Sequence, residues 1–397
     1  MKLPVYITRT VVVLSFVSLF TDIASEMLYP VMPIFLKSIG FSVLLIGVLE
    51  GMAEATAGLS KGYFGKLSDT TGKRLPFVRL GYLLSAVSKP MMAAFIFPLW
   101  IFFARTVDRL GKGIRTGARD AMLSAEASPK NKGRIFGFHR GMDTLGAVFG
   151  PALALVFLWL RPQQYRALFL AAFIPGILAI GFTFLLKEKS AKRETKNKRT
   201  SFFAFLKYWK TSPVTYRKLC AALLVFTLVN SSDVFLLLKI KESGIDDRMV
   251  IGVYIFYNLI YALASYPMGM MADKLGLKRV LIAGLVVFAM VYTGFALNSS
   301  IAGYIALFFL YGIYAAATEG ISKAWITNIS DKANTATAIG TYTALQSICT
   351  LIASSLAGFI WLYFGAEVTF AISAAITLLV AGYLMSVKES REERLKK

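Results

Sequence analysis

The chain has 397 residues, 56% hydrophobic and only 17% charged, with a net charge of +22. Soluble domains run near 45–50% apolar and about 25% charged, so that class is excluded, and apolar blocks of about 20 residues fit membrane-crossing helices, not the short alternating strands of a β-barrel. The charge does not point to nucleic acid, because Lys and Arg crowd into alternate loops at 61–79, 112–140, 187–218, 274–279 and 388–397, the bias that orients a chain in a membrane.

Twelve helices are predicted, over 9–36, 43–64, 77–96, 98–121, 136–160, 166–187, 216–240, 248–271, 279–297, 301–326, 337–363 and 366–387. The fold class is therefore all-α and polytopic. The first helix carries Asp22 and Glu26 at i, i+4, on one face. The second carries Glu50 and Glu54 in the same spacing and leads into a polar turn, Gly65 to Arg74, with glycines at 65 and 72, an acid at Asp69 and a basic pair at the exit. Lys89 lies inside the third helix and is expected to pair with an acid between helices.

On the fourth helix Arg105, Asp108, Arg109 and Lys112 form one stripe that continues to Arg115 and Arg119. Asp22 and Arg109 both fall near the bilayer midplane at 1.5 Å per residue. Ionisable groups at that depth cost about 2.5–3.5 kcal/mol each and mark functional positions. The fifth helix brings His139, Arg140 and Asp143 at one end, then Gly146, Gly150 and Pro151, a small-residue pattern that lets helices approach closely, with a bend.

The longest polar stretch follows and divides the helices into six and six. The organisation expected is a first bundle at 1–187, a central loop at 188–214, a second bundle at 215–388 and a tail at 389–397. Within the loop, 201–210 reads either as an amphipathic piece for the membrane surface or as a linker whose aromatics pack on the bundle. The second half is milder in charge. It offers Asn230, Ser231, Ser232 and Asp233, then Tyr254, Tyr257, Asn258 and Tyr261, then Tyr311, Tyr314, Glu319 and Lys323, the last two spaced to pair with each other. The polar turn returns half a chain later through Gly269, Asp273, Gly276, Lys278 and Arg279, which makes an internal repeat. Both cysteines, Cys220 and Cys349, lie in apolar segments and His139 is the sole histidine, so no metal site, cofactor or disulfide framework is expected. No H-E-x-x-H, G-x-S-x-G or P-loop is present, which argues against an enzyme. The first apolar run has no cleavage-site pattern.

With those motifs the chain resembles the major facilitator superfamily of secondary transporters. Gly65, Asp69, Gly72, Lys73 and Arg74 match that family's G-x-L-[AS]-D-R-x-G-[RK]-[RK] signature, with Thr70 where Arg is usual. Gly146 to Pro151 looks like the G-x-x-x-G-P core that the family's antiporters carry in helix 5, and Arg109 to Gly113 is similar to R-x-x-Q-G, with Lys112 in place of Gln. The resemblance implies two six-helix bundles with pseudo-twofold symmetry. It implies gating roles for Gly65, Asp69, Gly72 and Arg74 and for Gly269, Asp273, Gly276 and Arg279, and packing roles for Gly146, Gly150 and Pro151. It also implies a cavity formed from Asp22, Glu26, Glu54, Arg105, Asp108, Arg109, Lys112, Asn230, Asp233, Tyr257, Asn258, Tyr311 and Glu319. An acid on helix 1 that alternates between Arg109 and open water would change its proton affinity and couple protons to transport.

The function expected is secondary active transport of a small polar, anionic organic solute by alternating access, coupled to protons. The chain is expected to be monomeric in the inner membrane, with both termini cytoplasmic and with lipid and solute, not nucleic acid, as partners. The alternatives are a proton-driven multidrug efflux antiporter and a lipid flippase of the same fold.

Overall fold

The computed structural model describes residues 7–29, 31–32, 35–36, 39–41, 43–188, 201, 203–230, 233–245, 247–298 and 300–387, without the side chains of 43–55, 234, 247, 248 and 251. Glu50 and Glu54 therefore lie outside the described side chains. Ser231, Ser232, residues 189–200 and 202 of the central loop and the tail lie outside the described residues.

Among the described residues every regular element is helical. They are α1 (Arg9–Glu26), α2 (Val43–Thr71), α3 (Leu75–Ala94), α4 (Pro98–Ala125), α5 (Lys132–Leu160), α6 (Tyr165–Thr183), the short α7 (Leu206–Thr211), α8 (Val214–Val229), α9 (Val234–Glu242), α10 (Asp247–Leu275), α11 (Leu277–Leu297), α12 (Ile301–Ile329), a 3₁₀ turn (Lys332–Asn334) and α13 (Thr335–Ser386). Five stretches among them are long and apolar enough to cross a membrane by length and composition: Lys132–Leu160, Tyr165–Thr183, Leu277–Leu297, Ile301–Ile329 and Lys332–Ser386.

Local chemistry sets the boundaries. Pro98 opens α4, where a missing N–H costs nothing, and the Ser300 hydroxyl caps α12 by accepting from the Gly303 N–H at 3.2 Å. Gly72 and Gly276 take positive φ values of 66° and 102° and end α2 and α10. Gly365, at φ 88°, breaks α13 at the boundary expected between the last two helices.

Two expected helices are interrupted. The first, expected to run to 36, is interrupted after Glu26 by a turn at 27–29 and is helical again at Met32, Phe35 and Leu36; Pro30 and Pro33 in the sequence remove two backbone donors there. The seventh, expected over 216–240, divides into α8 and α9, because Asn230 and Asp233 flank two serines and such side chains compete with helical hydrogen bonding.

The chain forms two compact units. One comprises Met1–Glu126, Met142–Thr211 and Asp331–Ser347; the other comprises Ala127–Gly141, Ser212–Ser330 and Ile348–Lys397. In the first, α4 packs against α2 and α3, and α6 against α1 and α3. Its apolar core gathers Met27, Phe35, Met92, Ile101, Leu168 and Phe169. In the second, α12 packs against α10 and α11 over an aromatic core that includes Phe226, Phe288, Tyr292, Phe295 and Phe308.

Candidate functional site

The charged stripe of α4 is mostly buried and mostly paired. Asp108 receives Lys89 from α3 at 2.7 Å and Ser88 at 3.3 Å, and it lies 3.8 Å from Arg105. Lys89 also donates to Ser25 of α1 at 3.2 Å. The acid expected opposite Lys89 is thus Asp108. Two turns further along, Arg115 donates to Ser85 at 2.5 Å and lies over the Tyr82 ring, 4.5 Å from its centroid. Arg119 pairs with Asp120 at 2.9 Å and reaches Ser18 of α1 at 3.3 Å. These contacts give Arg105 and Asp108 a structural occupation that the sequence pattern did not reveal. Arg109 lies beside Asp108, and Lys112 is exposed.

The acids of α1 face α5. Asp143 accepts a short hydrogen bond from Ser18, and its carboxyl is in hydrogen-bonding contact with that of Asp22. Glu26 and Lys112 are further charged neighbours of Asp22. The partner in contact is therefore Asp143, where Arg109 was expected. Glycine makes the approach possible. A Cβ on Gly146 would stand 2.6 Å from the Asp22 Cβ, and one on Gly150 would stand 2.7 Å from the Glu26 Cβ. Asp143, Gly146 and Gly150 follow at i, i+3 and i+7, so they share one helical face. That spacing was the available signal for Asp143. Two carboxyl groups in contact cannot both be ionised at low cost, so the pair is suited to hold one proton. Arg119, acting through Ser18, supports the negative charge that remains.

In the second unit the candidate side chains form an aromatic cluster around one acid. Tyr311 of α12 donates to Asp233 at 2.7 Å, and the Asn230 amide donates to the Tyr314 hydroxyl at 3.1 Å. The Tyr311 ring centroid lies 4.9 Å from that of Tyr257 and 5.2 Å from that of Tyr314. Asn258 donates to the Tyr254 carbonyl of its own helix at 3.0 Å. Glu319 lies 3.9 Å from Arg140, which also donates to Tyr261. The partner found for Glu319 is thus on α5.

The two polar turns are each used as a helix cap. Asp69 accepts the backbone N–H of Thr337 at 2.7 Å and its hydroxyl at 2.8 Å, at the first turn of α13. Arg74 stands 3.7 Å from it. Asp273 accepts the N–H groups of Gly133 at 2.8 Å and Arg134 at 3.0 Å, at the first turn of α5, with the Arg134 side chain at 3.2 Å. Each acid thus satisfies orphan donors and the positive end of a helix dipole. The bare backbone of Gly65 is needed here, because a Cβ would meet the Ala336 carbonyl at 2.5 Å. Burial raises the Asp69 carboxyl to about 6 against the opposing pull of Arg74 and Thr337, and burial also raises Asp273 to about 6 against its N–H donors. The basic pairs that follow are used differently. The start of α3, at Arg74, is capped by Glu188, which accepts from the N–H groups of Arg74 and Leu75 at 3.0 and 2.9 Å. Lys278 caps the far end of α13 through the carbonyls of Met385 and Val387 at 2.9 and 2.7 Å, while Arg279 is exposed.

A sequence profile described as Major Facilitator Superfamily matches residues 14–256 and 234–397. An uncharacterized MFS-type transporter of Methanocaldococcus jannaschii is 33% identical over 385 residues, 96% of this chain and 94% of that protein. The multidrug resistance protein MdtH of Cronobacter sakazakii is 26% identical over 148 residues, 37% of this chain and 36% of that protein. Among solved structures, the human organic anion transporter MFSD10 superposes with a TM-score of 0.77 at 16% identity, covering 96% of this chain and 100% of that one. The Escherichia coli fucose:proton symporter FucP gives a TM-score of 0.77 at 12% identity, covering 96% and 98%. At such identities these two structures establish the fold alone.

Proposed function

The chain belongs to the major facilitator superfamily, a family of multi-pass membrane transporters for small molecules and not of enzymes, and from that premise we propose that it moves a small polar organic anion by proton-coupled alternating access. The observation that carries the proton is the contact between the Asp22 and Asp143 carboxyls, buttressed by Ser18 and Arg119. When the pair holds a proton the two acids sit together. When the proton leaves, their repulsion is relieved only if α1 and α5 part or a cation approaches, and Lys112 is a charged candidate on the Asp22 side. That links protonation to helix position. An anionic solute is supported by Lys112, exposed beside the pair, and by the neighbouring Arg109. In this reading Asp69 and Asp273 are gating residues: each holds the first turn of a helix drawn from the opposite half of the sequence. The halves are 1–187 and 215–388, and the basic loops put both termini on the cytoplasmic side of the inner membrane.

The test is transport in proteoliposomes under an imposed pH gradient. Acetate, succinate and citrate serve as anionic solutes, with ethidium and tetraphenylphosphonium as cationic ones. Wild type is expected to accumulate a carboxylate when driven by the gradient. Asp22→Asn and Asp143→Asn are expected to abolish that accumulation and to keep solute exchange at equal pH. Unchanged gradient-driven uptake in both variants would sink the proton assignment. Efflux of the cationic dyes alone would favour the second reading, a multidrug antiporter, which has the likeness to MdtH and the tyrosine cluster of the second unit in its support.

A further inference from the structure

The central loop ends in a short segment with two unlike sides. The Leu206 N–H donates to the Phe203 carbonyl at 3.1 Å, and this turn leads into α7. Phe205, Tyr208 and Trp209 follow at i, i+3 and i+4 and share one side; Phe203 with Lys207, and Leu206 with Lys210, share the other. On the first side Phe205 is 2% exposed and Tyr208 is buried. The Phe205 ring lies on the bare backbone of Gly62 in α2, where a Cβ would meet it at 2.6 Å. The Phe205 carbonyl accepts from the Thr341 hydroxyl of α13 at 3.2 Å. α2 and α13 cross at this place, because a Cβ on Gly340 would stand 2.4 Å from the Lys61 carbonyl. All of these contacts fall within the first unit. Packing at that crossing accounts for Phe205 and Tyr208 and leaves the other side of the segment unexplained.

That other side faces outward. Phe203 is 55% and Leu206 42% exposed, and Lys207 and Lys210 are exposed beside them. Large apolar side chains interleaved with lysines suit the boundary of an anionic bilayer. There the ring and the aliphatic chain enter the interface, while lysine stems reach the headgroup phosphates. The chain keeps the segment close to such a surface. α6, long and apolar enough to cross a membrane, ends at Thr183, and α8 begins at Val214, just after α7. The sequence adds charge complementarity: residues 187–199 hold seven Lys or Arg against two Glu. A basic cluster next to a membrane span, on the side that the basic loops assign to the cytoplasm, is drawn to anionic lipid. We propose that the outward side of 203–210 docks on the headgroups of an anionic bilayer, with Phe203 and Leu206 in the interface and Lys207 and Lys210 on lipid phosphates. Phe205 holds the α2–α13 crossing from the opposite side of the same short segment, so this docking steadies that crossing. The inference is independent of the solute and of the Asp22–Asp143 pair.

The experiment places the full-length protein in nanodiscs of phosphatidylcholine, with or without phosphatidylglycerol, and reads hydrogen exchange over 203–211. Each lysine at an anionic surface favours contact about fivefold, so exchange in the wild type is expected to be about tenfold slower, or more, where phosphatidylglycerol is present. KCl at about 1 M, which cuts the Debye length to about 3 Å, is expected to remove most of that difference. Lys207→Gln combined with Lys210→Gln is expected to remove it at low salt, and either change alone to leave part of it. Both lysines are exposed, so these variants keep the fold. Exchange at 339–343 of α13 is expected to slow in the same lipid, and Phe205→Ala is expected to abolish that response. Equal exchange over 203–211 in the two lipids overturns the proposal. So does a lipid difference that survives in the double lysine variant, which would move the docking to 187–199. Exchange at 339–343 that ignores the lipid overturns the link to the crossing. None of these readouts requires transport, so failure here is distinguishable from failure of the proton-coupled reading.

Discussion

Lys89 and Asp108 show how a charge inside a membrane protein is kept. Each is buried, and each is held by the other and by a serine. Removing one member leaves the other uncompensated, so Lys89→Met is expected to cost about 3–5 kcal/mol of stability, and Lys89→Met with Asp108→Leu is expected to recover most of it. Thermal unfolding measures this, and transport retained by the double variant would mark the pair as structural. Asp69 supplies a second prediction, in pH. Its carboxyl in the folded chain is at about 6 because burial outweighs Arg74 and Thr337, whereas an unfolded Asp titrates near 4. The folded state therefore binds the proton more tightly. The stabilising contribution is full below about pH 4 and is lost as pH rises through about 6. The melting temperature is expected to fall from pH 4.5 to 6.5 by more in the wild type than in Asp69→Asn. An equal fall in the two would move the titration to another group.

At the scale of helices, the glycines explain which elements meet. Gly146 and Gly150 let α5 lie on the acids of α1, and Gly65 lets α2 lie on the first turn of α13. Gly146→Leu is expected to part α5 from α1 and to lose gradient-driven uptake as Asp22→Asn does, while the protein still inserts. Full coupling in that variant would show that the acid pair does not depend on this approach. Asp69→Ala removes a helix cap and is expected to cost about 0.5–2 kcal/mol, read as faster exchange at 335–339 than at the distant end of α13. The division into α8 and α9 belongs to this scale too. Four consecutive polar residues were visible as a cluster, but whether they would line an unbroken helix or break it depended on what α12 offered in return.

For the molecule as a whole, the alternation of basic loops predicts sidedness. A green fluorescent protein fused after Lys397 is expected to fluoresce, and alkaline phosphatase at the same point is expected to stay inactive; the reverse pattern would invert the topology. The likeness to transporters of known structure extends over nearly the full chain. The helical class, the membrane, the repeat of the polar turn and the family signature were all legible in the residues. Composition, block length and fixed spacing survive without knowledge of what touches what.

Contact partners were not legible. Lys89 gave no sign that Asp108 was its acid, and Asp22 gave no sign that Asp143 lay against it, because such pairings join residues far apart in the chain through the rotation of each helix about its axis. A spacing of three or four residues fixes which side chains share a face, and so the sequence determined the stripes of charge on α1, α4 and α5. Which stripe each face meets is decided by close packing, through glycines that let backbones approach and through acids that cap distant helix starts. That choice only the tertiary structure made.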